Sequence, residues 1–125
     1  MQESAGFDLL AASLRADATD VRTFVEALAT KLELSFPERC RIDRGGLLGK
    51  KHVKRIAVEL GDGRYELANE DGAVSARRSS VVRGISLKSE ELSLEEWIDR
   101  LAAELVAEAD RSERGRDALQ RLLTS

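Results

Sequence analysis

The only cysteine and the only histidine of the chain, Cys40 and His52, stand close enough in sequence to meet on neighbouring strands. A thiol beside an imidazole can act as a nucleophile with its base. The surroundings argue against that use. Cys40 falls on a core-phase position, where cysteine behaves as a small hydrophobe. His52 stands among Lys50, Lys51, Lys54 and Arg55. One Cys and one His cannot furnish a Cys/His zinc site, and one Cys forms no intrachain disulfide.

Gly45–Lys51, GGLLGKK, has the glycines and lysine of a phosphate loop but not its order. The motif needs Gly, four residues, then Gly-Lys-Ser/Thr opening a helix. Here the first glycine is misplaced, Lys51 replaces the hydroxyl, and a strand pattern follows. Carboxylate pairs at helical spacing, such as Glu91/Glu95 and Glu104/Glu108, alternate with Arg100, Arg111 and Arg114. That alternation describes a solvated helix face rather than paired acid–base groups. No catalytic residue, metal ligand, cofactor or small-molecule substrate is expected, and the chain reads as non-enzymatic.

The stronger chemical signal is charge sorted along the chain. Residues 1–38 carry three Lys/Arg against seven Asp/Glu, residues 39–88 twelve against six, and residues 89–125 five against ten. The nets are −4, +6 and −5. Arg39, Arg41, Lys50, Lys51, Lys54 and Arg55 are the candidate site, a basic face for an anionic or protein partner. A positive face attracts phosphate backbones, anionic lipid or acidic proteins. Two observations oppose nucleic acid. No aromatic interleaves with these cations, as stacking on single strands would require. Asp43, Glu59 and Glu66 share the same strand phase and can pair across strands instead.

The elements that would carry these residues follow from periodicity. Phe7, Leu10, Leu14, Val21, Phe24, Val25, Leu28 and Leu32 form one helical stripe from about Phe7 to Glu33, with a possible break near Asp17. Pro37 ends it. Four strands are expected between residues 39 and 88. Cys40/Ile42, Ile56/Val58/Leu60 and Tyr65/Leu67 alternate with polar neighbours. Gly61-Asp62-Gly63 and Asp71-Gly72 are tight-turn signals joining antiparallel neighbours. In the fourth strand Val74 and Ala76 set one phase while Val81, Ile85 and Leu87 set the other. That conflict predicts a bulge or break within Arg77–Ser80. Arg83 then falls on the inward phase, so either the strand leaves the core there or Arg83 has a partner.

Ser93-Leu94-Glu95-Glu96 is a capping box opening a last helix whose apolar face is Leu94, Trp97, Ile98, Leu101, Leu105 and Val106. Ser112 and Gly115 weaken it. Ala118, Leu119, Leu122 and Leu123 resume an apolar face, either as a separate short helix or as the end of a bent one.

The fold class expected is therefore α+β, a single domain over 1–125. A helix region (6–33) leads to a four-stranded antiparallel meander (39–88) and then to a C-terminal helix region (93–123). Both helices would pack on one sheet face. Leu14, Phe24, Leu28, Trp97, Leu101 and Leu105 would be buried against Ile56, Val58, Leu67 and Ile85. A chain of this length buries roughly two-thirds of its unfolded surface and needs no staple. Aromatics are few (three Phe, one Tyr, one Trp), so the core must be aliphatic. The N-terminus has neither a basic region nor a long apolar run, and nothing approaches the ~20 apolar residues of a spanning helix. The expected location is cytoplasmic.

In topology alone, without a shared residue motif, this order is similar to small bacterial nucleoid-associated dimers and to acidic secretion chaperones. The expectation is an interaction module, chaperone- or adaptor-like, that forms a homodimer through one of its helices and the sheet edge. The alternative is a nucleic-acid-binding protein using the basic sheet face.

Overall fold

A computed structural model describes residues 21–45, 52–70 and 73–123. Its elements are α1 (Val21–Ser35), β1 (Cys40–Gly45), β2 (His52–Leu60), β3 (Gly63–Glu70), β4 (Ala73–Val82), β5 (Ile85–Leu92), α2 (Leu94–Arg111) and α3 (Glu113–Leu123). The fold is α+β. Its sheet is antiparallel and has five strands in the order β1-β2-β3-β4-β5, each paired with its neighbour in sequence. The 7–20 part of the expected helix with its break near Asp17 and Leu14, the 46–51 part of the glycine loop and the Asp71-Gly72 turn lie outside the described residues, while 21–33 is helical as expected.

The fifth strand corrects the four-strand expectation. The phase conflict has two sources. β4 shifts register against β5 between Ser80 and Val81, at the end of the segment where a bulge is predicted. The chain then reverses at Arg83 and Gly84, with φ of 54° and 80°. Two successive positive φ values give the tight reversal whose twist suits a two-residue hairpin. Glycine adopts that backbone freely, whereas an arginine there costs about 1–2 kcal/mol. Arg83 therefore sits exposed in a turn, the outcome in which the strand leaves the core. Ile85, expected in the core, is 62% exposed, because it starts the fifth strand near the hairpin tip.

One face of the sheet is covered. Ile56, Val58 and Leu60 of β2, Tyr65 and Leu67 of β3, and Ala76 of β4 are buried. α1 lies on β1 and β2, and α2 crosses β2, β4 and β5. Phe24, Leu28 and Leu32 from α1 meet Trp97, Leu101 and Leu105 from α2 in one core. Each fully buried side chain of this size contributes roughly 1.5–3 kcal/mol. Trp97 ties α2 to the sheet in two ways. Its ring meets Tyr65 edge-on at 6.3 Å, and its indole N–H donates to the Arg77 carbonyl at 3.2 Å.

The tail is a separate helix. Ser112 ends α2 by donating its backbone N–H to the Glu108 carbonyl. The same residue starts α3, since its Oγ accepts the Gly115 N–H at 3.0 Å. A side chain at Gly115 would run into the Glu108 carbonyl group, so the two helices approach this closely only with glycine there. Leu119 and Leu123 pack on the core, and Arg121 donates to Ser35 Oγ. α3 thus covers α1 and α2, which gives the apolar tail a role inside the chain. Among the described residues no helix is long and apolar enough to cross a membrane.

Candidate functional site

The face of the sheet turned away from the described helices can be drawn from the register. Arg41 lies opposite Ala57, which lies opposite Glu66, then Arg77, then Glu91. One step toward one end, Glu59 opposes Arg64. One step toward the other, Asp43 opposes Arg55. These four arginines and four carboxylates share this face, with Glu70 in the same phase at the end of β3. Their pairing is partial. Arg64 meets Glu59 at 2.9 Å and Arg77 meets Glu91 at 3.6 Å. Among the described residues Arg41 and Arg55 make no ion pair, and both are exposed. A shallow groove of about 640 Å³ runs over this area, with Arg41, Arg55 and Arg64 among its walls.

Of the six candidate cations, Arg39, Arg41 and Arg55 line this groove together. Lys50 and Lys51 lie outside the described residues. Lys54 is the extra residue where β1 and β2 shift register, and it is exposed beside Gly45. Arg39 precedes β1 and turns to the end of α2, where it meets Glu108 at 3.4 Å.

Glu108 is the centre of a second charged group. Its side chain is only 8% exposed, and it also accepts from Arg111 at 2.7 Å. Burial alone would raise its carboxyl. The hydrogen bond and charge of Arg111, with the charge of Arg39, outweigh that and hold it below the ordinary value. The group clamps the C-terminal end of α2 to the start of β1.

Cys40 and His52 do not meet. Cys40 lies opposite Val58 and His52 opposite Gly45, at the two ends of the β1–β2 pair. Burial, with the Glu33 charge second, pushes the Cys40 thiol up to about 11. The thiol is therefore protonated at neutral pH and a poor nucleophile. Tyr65, stacked under Arg78 at 5.5 Å, has its hydroxyl raised by burial despite accepting from Arg78 Nε. Among the described residues no cluster of His, Cys, Asp or Glu could hold a metal ion.

The feature that the sequence reading missed is β5. Its outer edge has no strand partner among the described residues, and all of it but Leu92 is exposed. At its hairpin tip Val82, Ile85 and Leu87 are 50%, 62% and 65% exposed. Leu34 on α1 is also exposed but stands singly. The available signal was Arg83-Gly84 between two short apolar-bearing runs. Without Asn or Asp before the glycine it does not read as a hairpin turn.

No family model, curated protein or solved structure matches the chain.

Proposed function

We propose that this chain is a non-enzymatic cytoplasmic protein-interaction module, chaperone- or adaptor-like and self-associating, that docks through the free edge of β5. One observation carries the reading: three exposed apolar side chains stand at the tip of a hairpin whose outer strand has no partner on its outer edge among the described residues. A free edge presents a row of backbone donors and acceptors that accepts an added strand. Apolar side chains grouped beside such an edge mark interaction sites, whereas scattered ones carry no such meaning. The reading requires no metal, cofactor or small-molecule substrate.

The test is capture from native lysate in high salt after nuclease treatment, using the full chain and its Leu87→Glu variant as baits. Proteins retained by the wild type and lost by the variant support docking through β5. An identical set on both baits removes it. The substitution is exposed, so it should alter stability by less than about 0.5 kcal/mol.

A second reading has its own observation: Arg41 and Arg55, exposed on the open face, make no ion pair among the described residues. With Lys50 and Lys51 nearby in sequence, they would meet a nucleic-acid backbone. Binding would then weaken steeply with salt, and each cation removed would flatten the slope by about one. Absence of any duplex shift at low salt removes this reading.

A further inference from the structure

The order of charges along β5 specifies a partner and a register. Lys88, Ser89 and Glu90 follow one another, so Lys88 and Glu90 lie on the same face of the strand with one residue between them. Lys88 is opposite Ser80 and Glu90 opposite Arg78, which places both on the helix-covered side of the sheet. Glu90 already holds Arg100 of α2 at 3.1 Å.

We infer that the partner of this edge is a second copy of the chain, joined β5 to β5 in antiparallel fashion with Ser89 on the twofold axis. The inference rests on reading β5 as the docking edge. A twofold axis perpendicular to the sheet keeps the helices of both copies on one face. It also requires directly opposed residues to share a strand face, so the axis must pass through a residue and not between two. Centred on Lys88, the pairing sets lysine against lysine. Centred on Glu90, it sets carboxylate against carboxylate. Like charges directly opposed across strands repel, and opposite charges attract. Centred on Ser89, each Lys88 faces Glu90 of the other copy, and this happens twice.

The same register gives Leu87 a place. Leu87 comes opposite Glu91, whose carboxylate is already turned to Arg77 and leaves its aliphatic stem to cover the leucine. Closure also favours β5 with β5. Pairing β5 of one copy with β1 of the next would be head-to-tail and would propagate into an open filament.

Light scattering on the full chain tests this. The wild type should show twice the 13.8 kDa chain mass at tens of micromolar. Lys88→Glu alone and Glu90→Lys alone should each return the mass of a single chain. An equimolar mixture of the two should recover the doubled mass, because carboxylates at 88 and 90 of one chain then face ammonium groups at 90 and 88 of the other. Circular dichroism confirms that each variant is folded. A wild type of single-chain mass, a dimer insensitive to both substitutions, or a mixture that stays monomeric overturns the inference. If the wild type is monomeric while Leu87→Glu still loses captured proteins, docking through β5 stands and self-pairing falls.

Discussion

The two edges of the sheet are held differently. At the β1 edge the ladder is irregular and tied down. β1 has six residues, its register shifts between Asp43 and Arg44, and Lys54 is left without an opposite number. Helix α1 reaches over to hold this corner. Glu33 takes Arg44 at 3.1 Å, and the Glu26 carboxylate accepts the Val53 N–H at 2.7 Å, next to the shift. At the β5 edge there are eight residues and a strand exposed along almost its whole length. α2 reaches it through Arg100 and Glu90, a pair between half-exposed side chains. Exposed pairs of that kind are worth little. Natural sheets blunt their edges with short strands, irregular register and charge. Both edges carry charge and a register shift, β5 through Lys88, Glu90, Glu91 and the shift between Ser80 and Val81. What sets β5 apart is its length and the exposed apolar side chains beside its shift.

The largest effect should come from the anchor on the β5 side. Trp97→Ala removes the ring that holds α2 against β3 and β4. It should cost about 3–5 kcal/mol in chemical denaturation. A smaller loss would mean that the β4–β5 half of the sheet holds itself without α2.

A middle-sized effect is expected at the opposite corner. Glu108→Gln leaves Arg39 and Arg111 without their buried carboxylate, and should cost about 1.5–3 kcal/mol at neutral pH. The Glu108 carboxyl is lowered on folding from an ordinary value of 4.5. Its contribution is therefore present above about that pH and is lost as pH falls through the folded value. Denaturation midpoints of wild type and variant should converge in acid. Parallel curves down to acid pH would show that the clamp to β1 is not what makes this corner pH-sensitive.

The smallest effect on stability should be the most informative about the edges. Glu26→Gln weakens one carboxylate bond to a backbone N–H, for about 1 kcal/mol. Amide hydrogen exchange at Val53 should accelerate, while the amides of β4 stay protected. Equal acceleration along both would erase the distinction between a secured and an open side.

Much of this arrangement is legible in the sequence, and its gaps have physical causes. Strict alternation in Ile56-Val58-Leu60 and Tyr65-Leu67 identified β2 and β3, since a strand half-buried on one face shows period two. Ser93 and Glu96 marked the start of α2, and the structure forms that cap, with the Glu96 N–H on Ser93 Oγ at 3.1 Å. β5 escaped because its residues are not half-buried. A strand exposed on both faces has no alternation to reveal it, and Arg83 is an unusual occupant of a positive-φ turn position. The candidate site was half legible. Arg41 and Arg55 share a face because strand phase is readable. Arg39 lines the same groove, but it also pairs with Glu108, a partner 69 residues away that no local pattern indicates.

The connection between α3 and α1 bears on the order of folding events. Every strand pairs with its neighbour in sequence, so the sheet can form by successive short closures. The contact of Arg121 with Ser35 spans 86 residues and cannot form early. During synthesis, which proceeds from the N-terminus, α1 and the sheet emerge long before the helix that covers them. The part of α1 that α3 covers therefore stays open until α3 itself has left the ribosome.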